Sequence, residues 1–223
     1  MKRSMFFLIV CILVCMQQVK PIFTVVIDPG HGGKFPGCVG QLGTPEKQIN
    51  LAVGLKITEL LLEQKDVVAI ITRTSDQELD DVLLQDLQKR TDNAQKFTAD
   101  LFVSIHFNSS VNPAVRGFEV YVPMQAAFCK KSYSAAAYIH HSLSQGLEAE
   151  FSGTLGNLNT RDRGIRAAKF NVLAKAPCPA VLLELDYLSN PVVEKKLENV
   201  DFTDALAQLV VQGIMRYNAQ ITL

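Results

Sequence analysis

Two histidines and two glutamates in this chain have the types and settings that chemistry needs. The first apolar run ends in Asp28-Pro29-Gly30-His31-Gly32-Gly33, which leaves His31 on a glycine-rich turn with nothing apolar around it. Glu46 follows Thr44-Pro45 at the second position of an expected helix, where the helix dipole favours a carboxylate even without a function. His106 closes the run Leu101-Phe102-Val103-Ser104-Ile105, on the face shared by Phe102 and Ser104. Taken singly, these read as a loop histidine, a helix-start glutamate and a strand-end histidine. Taken together, two imidazoles and one carboxylate are a ligand set of catalytic zinc, with the fourth position left to water. Glu184 lies within Val181-Leu182-Leu183-Glu184-Leu185, an otherwise apolar run. A free carboxylate is costly to bury, so such a residue is paired, metal-bound or kept for proton transfer.

These residues need elements that bring them together, and the pattern supplies alternating strands and helices. Strands are expected at Ile22 to Asp28, Asp66 to Thr72, Leu101 to Phe107, Gly117 to Val122, Phe170 to Leu173 and Ala180 to Leu185. Helices are expected from Thr44-Pro45 to Leu62, near Asp81 to Phe97 on Leu83, Leu84, Leu87 and Ala94, around Ser132 to Phe151, and from Asp201 to Tyr217. A Gly/Asn-rich loop is expected at Ser152 to Thr160. Such alternation predicts an α/β fold: an open, twisted, mostly parallel sheet with helices on both faces, in one catalytic domain over residues 21–223. Ligands gather at the carboxyl ends of strands in such sheets, which is where His31 and His106 fall.

Composition narrows the partners. In 223 residues the 22 basic and 22 acidic side chains balance, and the longest basic cluster is a pair such as Lys130-Lys131, so no nucleic-acid partner is expected. At 48% hydrophobic residues the chain can bury a sizeable core. Met1-Lys2-Arg3-Ser4, an apolar run from Met5 to Met16 and then Gln17-Gln18 follow the order of a secretory signal, and the run is shorter than the roughly 20 residues of a membrane span. Residues 1–20 are therefore read as a signal peptide or, uncleaved, an N-terminal membrane tether, which puts the chain in the periplasm or on the outer face of the cytoplasmic membrane. Cys38, Cys129 and Cys178 are widely spaced and imply no disulfide framework.

The motifs resemble those of the zinc-dependent N-acetylmuramoyl-L-alanine amidases of type 3, and the resemblance covers nearly everything from Thr24 to Leu197. Val26-Ile27-Asp28-Pro29-Gly30-His31-Gly32-Gly33 is similar to the first metal motif, Glu46-Lys47-Gln48-Ile49-Asn50-Leu51 to the second, and Ser104-Ile105-His106-Phe107-Asn108 to the third. Val181 to Leu185 with Leu188-Ser189-Asn190-Pro191 is similar to the segment carrying the catalytic glutamate, which here is Glu184. Thr72-Arg73 with Asp76, Ala99 to Val103, Gly117 to Tyr121 and Arg163-Gly164-Ile165 also look like family blocks. The resemblance implies zinc on His31, Glu46 and His106, and hydrolysis of the amide between N-acetylmuramic acid and L-alanine in peptidoglycan, in cell-wall remodelling or cell division.

Two departures from the family pattern stand out. Asp186 occupies a position that is usually small; two residues from Glu184 on a strand, it is expected to share a face with it and raise its proton affinity. The stretch between Val122 and Arg163 has room for about one long helix and a loop, so the site-covering insertion of some Gram-negative relatives is not expected, nor is an activator requirement. The alternatives are another peptidase activity on the same polymer, which zinc and a glutamate serve equally, and a non-catalytic peptidoglycan-binding protein.

Overall fold

The computed structural model describes residues 22–125, 127–152 and 162–222. The expected secretory signal and all but the first residue of the expected loop at Ser152 to Thr160 lie outside the described residues. The first strand, β1 (Phe23–Pro29), carries a near-continuous apolar run because it is covered on both faces: Val25 and Ile27 pack into one core and Val26 into the other, all three fully buried. Full burial of one such side chain contributes about 1.5–3 kcal/mol.

Around β1 the chain adds α1 (Glu46–Leu62), β2 (Val67–Ile71), α2 (Leu83–Lys96), β3 (Leu101–Asn108), β4 (Glu119–Pro123), α3 (Cys129–Ser152), β5 (Ile165–Ala168), α4 (Asn171–Lys175), β6 (Ala180–Tyr187), α5 (Pro191–Leu197) and α6 (Val200–Ile221). One six-stranded sheet runs β2-β1-β3-β6-β4-β5, parallel except where β4 pairs antiparallel with β6. Residues of α1, α3 and α6 fill the larger core on one face; α2 and α4 cover the other. Strand order reverses at β1, so the carboxyl ends of β1 and β3 flank a crevice, the usual ligand position in such sheets.

Three sequence expectations need correction, and two elements were not foreseen. Phe170 to Leu173 is not a strand but the start of α4; a four-residue apolar run has no period to separate the two, and Val172 and Leu173 turn inward to cover the sheet face. The strand of this region is β5, whose exposed Arg166 and Ala167 fit an edge strand and hide the alternation. Helix α1 begins one residue later than expected: Pro45 is the N-cap, Glu46 the first helical residue, and the Thr44 amide is taken up by Glu194. Leu83 and Leu84 are exposed, and the inward face of α2 is Asp86, Arg90, Thr91 and Ala94. Helix α5 went unforeseen; Asn190 caps it by accepting from the amides of Val192 and Val193, with Pro191 at its first turn.

Helices α3 and α6 touch backbone to backbone at Gly213, where an added Cβ would lie 2.4 Å from Ile139 Cα. Gly213→Ala gains up to about 1 kcal/mol of helix propensity but overpacks a rigid contact at about 1–3 kcal/mol. The expected net result is a lower urea midpoint with an unchanged m value; a midpoint at or above wild type would show that the helices separate freely.

Candidate metal centre

Backbone before side chains shapes this site. His31 has a left-handed backbone, φ 63°, at the first turn beyond β1, a conformation that costs a non-glycine residue about 1–3 kcal/mol. Two buried arginines hold it there. Arg90 donates to the Pro29 carbonyl at 2.9 Å and the His31 carbonyl at 2.7 Å, while Arg73 donates to the carbonyls of Pro29 and Gly30, both at 2.9 Å, and of Lys47 at 2.7 Å. Arg90 is neutralised by Asp28 at 2.9 Å and Asp86 at 2.6 Å, all three buried. Burial by itself would raise the Asp28 carboxyl, but Arg90 and the hydroxyls of Thr72 and Ser104 hold it below its ordinary range.

The three predicted ligands converge. Candidate ligand atoms of His31, Glu46 and His106 lie within 4.8 Å of one another. His31 Nε2 is 3.2 Å from Glu46 Oε2, His106 Nδ1 is 2.9 Å from Glu46 Oε1, and the rings meet edge to face with centroids 4.9 Å apart. Glu46 is oriented by the amides of Cys38 and Phe107 and by Asn50 Nδ2, at 3.0, 3.2 and 3.1 Å. Burial would raise its pKa, yet the two histidines keep it far below the usual carboxylate range. Two glycines make the room: a Cβ on Gly30 would lie 2.2 Å from the His106 ring, and one on Gly37, φ 72°, 2.5 Å from Glu46 Oε2. An ionised carboxylate on fixed donors beside two imidazoles fits a divalent metal of the zinc type. The Cys38 thiol, pushed up to about 12 by burial and then by Glu46, stays neutral and donates to the Phe107 carbonyl at 3.6 Å.

Glu184 stands directly across from His106 in the β3–β6 register, half-buried, with Oε2 buried and without a hydrogen-bond partner among the described residues. Burial, then the nearby carboxylates of Glu46 and Glu119, raise its proton affinity well above the ordinary range. The expected effect of Asp186 is corrected. Between His106–Glu184 and Asn108–Tyr187 the register slips by one residue, a bulge, and Asp186 points to Arg116 Nη2 at 2.6 Å and to the amides of Gly117 and Tyr187. The carboxylate opposite Glu184 is instead Glu119, its antiparallel partner on β4. Beside the histidines opens an apolar-walled cavity of about 260 Å³, lined by His31, His106, Leu87, Phe170, Val172 and Leu182 among others.

Sequence reasoning missed Arg90, although the signal existed: it stands four residues after Asp86 and in line with Leu87 and Ala94, on a face that should be apolar. Replacing it by methionine leaves Asp28 and Asp86 buried without their cation, a change that costs about 3–5 kcal/mol. Arg90→Met should therefore unfold at markedly lower urea; a loss below about 1 kcal/mol would show that the network is dispensable.

Comparison with known proteins agrees with this geometry. The family model described as N-acetylmuramoyl-L-alanine amidase matches residues 25–216. The amidase LytC of Bacillus subtilis is 30% identical over 196 residues, 87% of this chain and 35% of LytC, so the chain spans about a third of that relative. The catalytic domain of CwlV from Bacillus (Paenibacillus) polymyxa var. colistinus superposes with a TM-score of 0.75 at 35% identity, covering 87% of this chain and 97% of that domain. The CwlD amidase of Clostridioides difficile, solved in complex with the GerS lipoprotein, gives 0.74 at 26% identity over 89% of this chain and 99% of that one. With its predicted histidines and glutamates gathered at the carboxyl edge of that shared sheet, this chain belongs to the N-acetylmuramoyl-L-alanine amidase family of peptidoglycan hydrolases.

Proposed function

We propose that the chain is a zinc-dependent enzyme that cleaves the amide between the lactyl group of N-acetylmuramic acid and L-alanine, in cell-wall remodelling or division, after export beyond the cytoplasmic membrane. The observation that carries this reading is the meeting of His31, Glu46 and His106 beside a half-buried carboxylate, Glu184, that has no paired cation among the described residues. His31, Glu46 and His106 would hold the ion. Zinc, when bound, supplies a Lewis acid that polarises the carbonyl and acidifies water. Glu184 takes a proton from the attacking water and hands it to the departing L-alanine nitrogen, since an amine leaves poorly unless protonated. Its raised proton affinity suits it to hold that proton between the two steps. The order of basic residues, apolar run and polar pair at the N-terminus supports export through residues 1–20.

Among the described residues, α3 packs against α6 and β4 on the sheet face opposite α2 and α4, away from the cavity beside the histidines. That position supports activity without an activator, although CwlD was solved in complex with a lipoprotein. Purified protein with zinc should release peptides bearing a free L-alanine amine from peptidoglycan unaided, read by mass analysis. Products cut between stem-peptide residues would replace the amidase reading by a peptidase, and strict dependence on an added partner would refute activator independence. Glu184→Gln should fold, keep its zinc and lose about 10²- to 10⁴-fold in rate; near-normal release would remove the role given to Glu184. His106→Ala should emerge from chelator-free purification with little zinc by elemental analysis, and full occupancy would sink the ligand assignment.

A further inference from the structure

Beyond Glu184 the sheet continues into a second charged group that the hydrolytic residues do not use. Register places His106, Glu184 and Glu119 side by side on β3, β6 and β4, and Tyr121 beside Arg166 on β5. Glu119 is buried and fully engaged: Oε1 accepts from Asn108 Nδ2 and from the Tyr187 hydroxyl, Oε2 from the Tyr121 hydroxyl, each at 2.9 Å. Both phenols are pushed up to about 12, by burial first and then by Glu119, so they remain donors. Two guanidiniums share this one carboxylate, Arg163 Nε at 3.4 Å and Arg166 Nε at 3.2 Å. Arg163 lies over the Tyr187 ring with its guanidinium carbon 5.1 Å from the centroid, and Arg166 Nε also donates to the Arg163 carbonyl at 3.3 Å. Asp162 is turned elsewhere, to His140, Ser144 and the Gly164 amide.

Two cations therefore face one buried anion, Arg166 through an Nε that also hydrogen-bonds and Arg163 through an Nε that pairs by charge without a hydrogen bond, and their forked Nη ends have no partner among the described residues. Counted against Glu119 alone, the two guanidiniums leave one positive charge over, and the Arg166 side chain is 51% exposed. Forked guanidinium nitrogens match a carboxylate in two parallel hydrogen bonds.

We propose that Arg166, with Arg163 behind it, forms an anion subsite for the peptide half of the substrate, binding a carboxylate on the residue that follows L-alanine, as a residue with two carboxyl groups leaves one free when the other joins the next residue. This rests on the amidase reading for its direction: Glu184 protonates the leaving nitrogen, so the departing peptide lies on the Glu184 side of the metal residues and runs toward β4 and β5. The lengths agree. Strand β5 is two spacings, about 10 Å, from β6, and the carboxylate of the second residue is about 7 Å from the released nitrogen, which an arginine reaching back toward Glu119 can meet.

Two muramoyl peptides test this, identical except that the second residue carries a free carboxylate in one and a primary amide in the other. Wild type should prefer the carboxylate substrate by about tenfold in kcat/KM, mainly through KM, as expected for one charge-assisted contact. In Arg166→Gln the preference should fall to about one, and Arg166→Lys should restore part of it. A wild type without preference, or an Arg166→Gln variant that keeps it while losing rate on both substrates alike, would overturn the subsite. The corresponding free peptides, titrated calorimetrically into wild type and Arg166→Gln, read the subsite without turnover. A wild type that cleaves neither substrate yet binds the carboxylate peptide about tenfold more tightly would end the amidase reading and leave the subsite standing; equal affinities for both peptides would end the subsite.

Discussion

The site depends on one constraint: a histidine must be held in a left-handed backbone at the end of a central parallel strand, with its carbonyl and those of its neighbours turned away from water. Arg73 and Arg90 meet that constraint by donating into consecutive carbonyls of Pro29, Gly30 and His31. Arg90 is buried with the counter-charges of Asp28 and Asp86, whereas Arg73 is held by backbone carbonyls. The result is a charged core beneath the loop of His31, tied to the end of β2 through Thr72 and to β3 through Ser104. Stability and chemistry are coupled there, because the residues that tolerate the strain of His31 are also those that join three elements.

Carboxylates show how environment divides one functional group among several tasks. Glu46 is kept ionised by two imidazoles and three donors, Asp186 is absorbed by Arg116 and backbone amides, and Glu119 is saturated by hydroxyls, an amide and guanidiniums. Glu184 alone among these has an oxygen buried without a donor, and its proton affinity rises accordingly. The bulge at the end of β6 matters to this division: by slipping the register after Glu184, it sends Asp186 to a different partner instead of stacking a further carboxylate against Glu184.

The sheet itself sets which groups stand beside the histidines. With β4 antiparallel to β6, residues from the start of β4 meet the carboxyl end of β6, and Glu119 arrives beside Glu184. An all-parallel order would have put the other end of β4 there. The antiparallel pair thus carries the row of charged side chains from His106 and Glu184 toward the edge strand β5, while Phe170, which lines the apolar cavity between α2 and α4, meets Tyr121 edge-on with ring centroids 5.0 Å apart.

Much of this was legible in the sequence because local patterns determine it. Apolar runs of strand length, helical spacing in Ile49, Val53 and Ile57, and the glycine-rich turn after Asp28 were enough to order the elements and to nominate His31, Glu46, His106 and Glu184. What only the tertiary structure decided was how distant charges are paired. Arg90 with Asp28, Arg116 with Asp186, and Arg163 and Arg166 with Glu119 are separated by 62, 70, 44 and 47 positions, and no periodicity spans such distances. The same holds for the short run at Phe170, whose fate as helix was settled by the sheet face it covers. Local sequence sets which backbone conformations are cheap, whereas burial in a low-dielectric core sets which charges must meet.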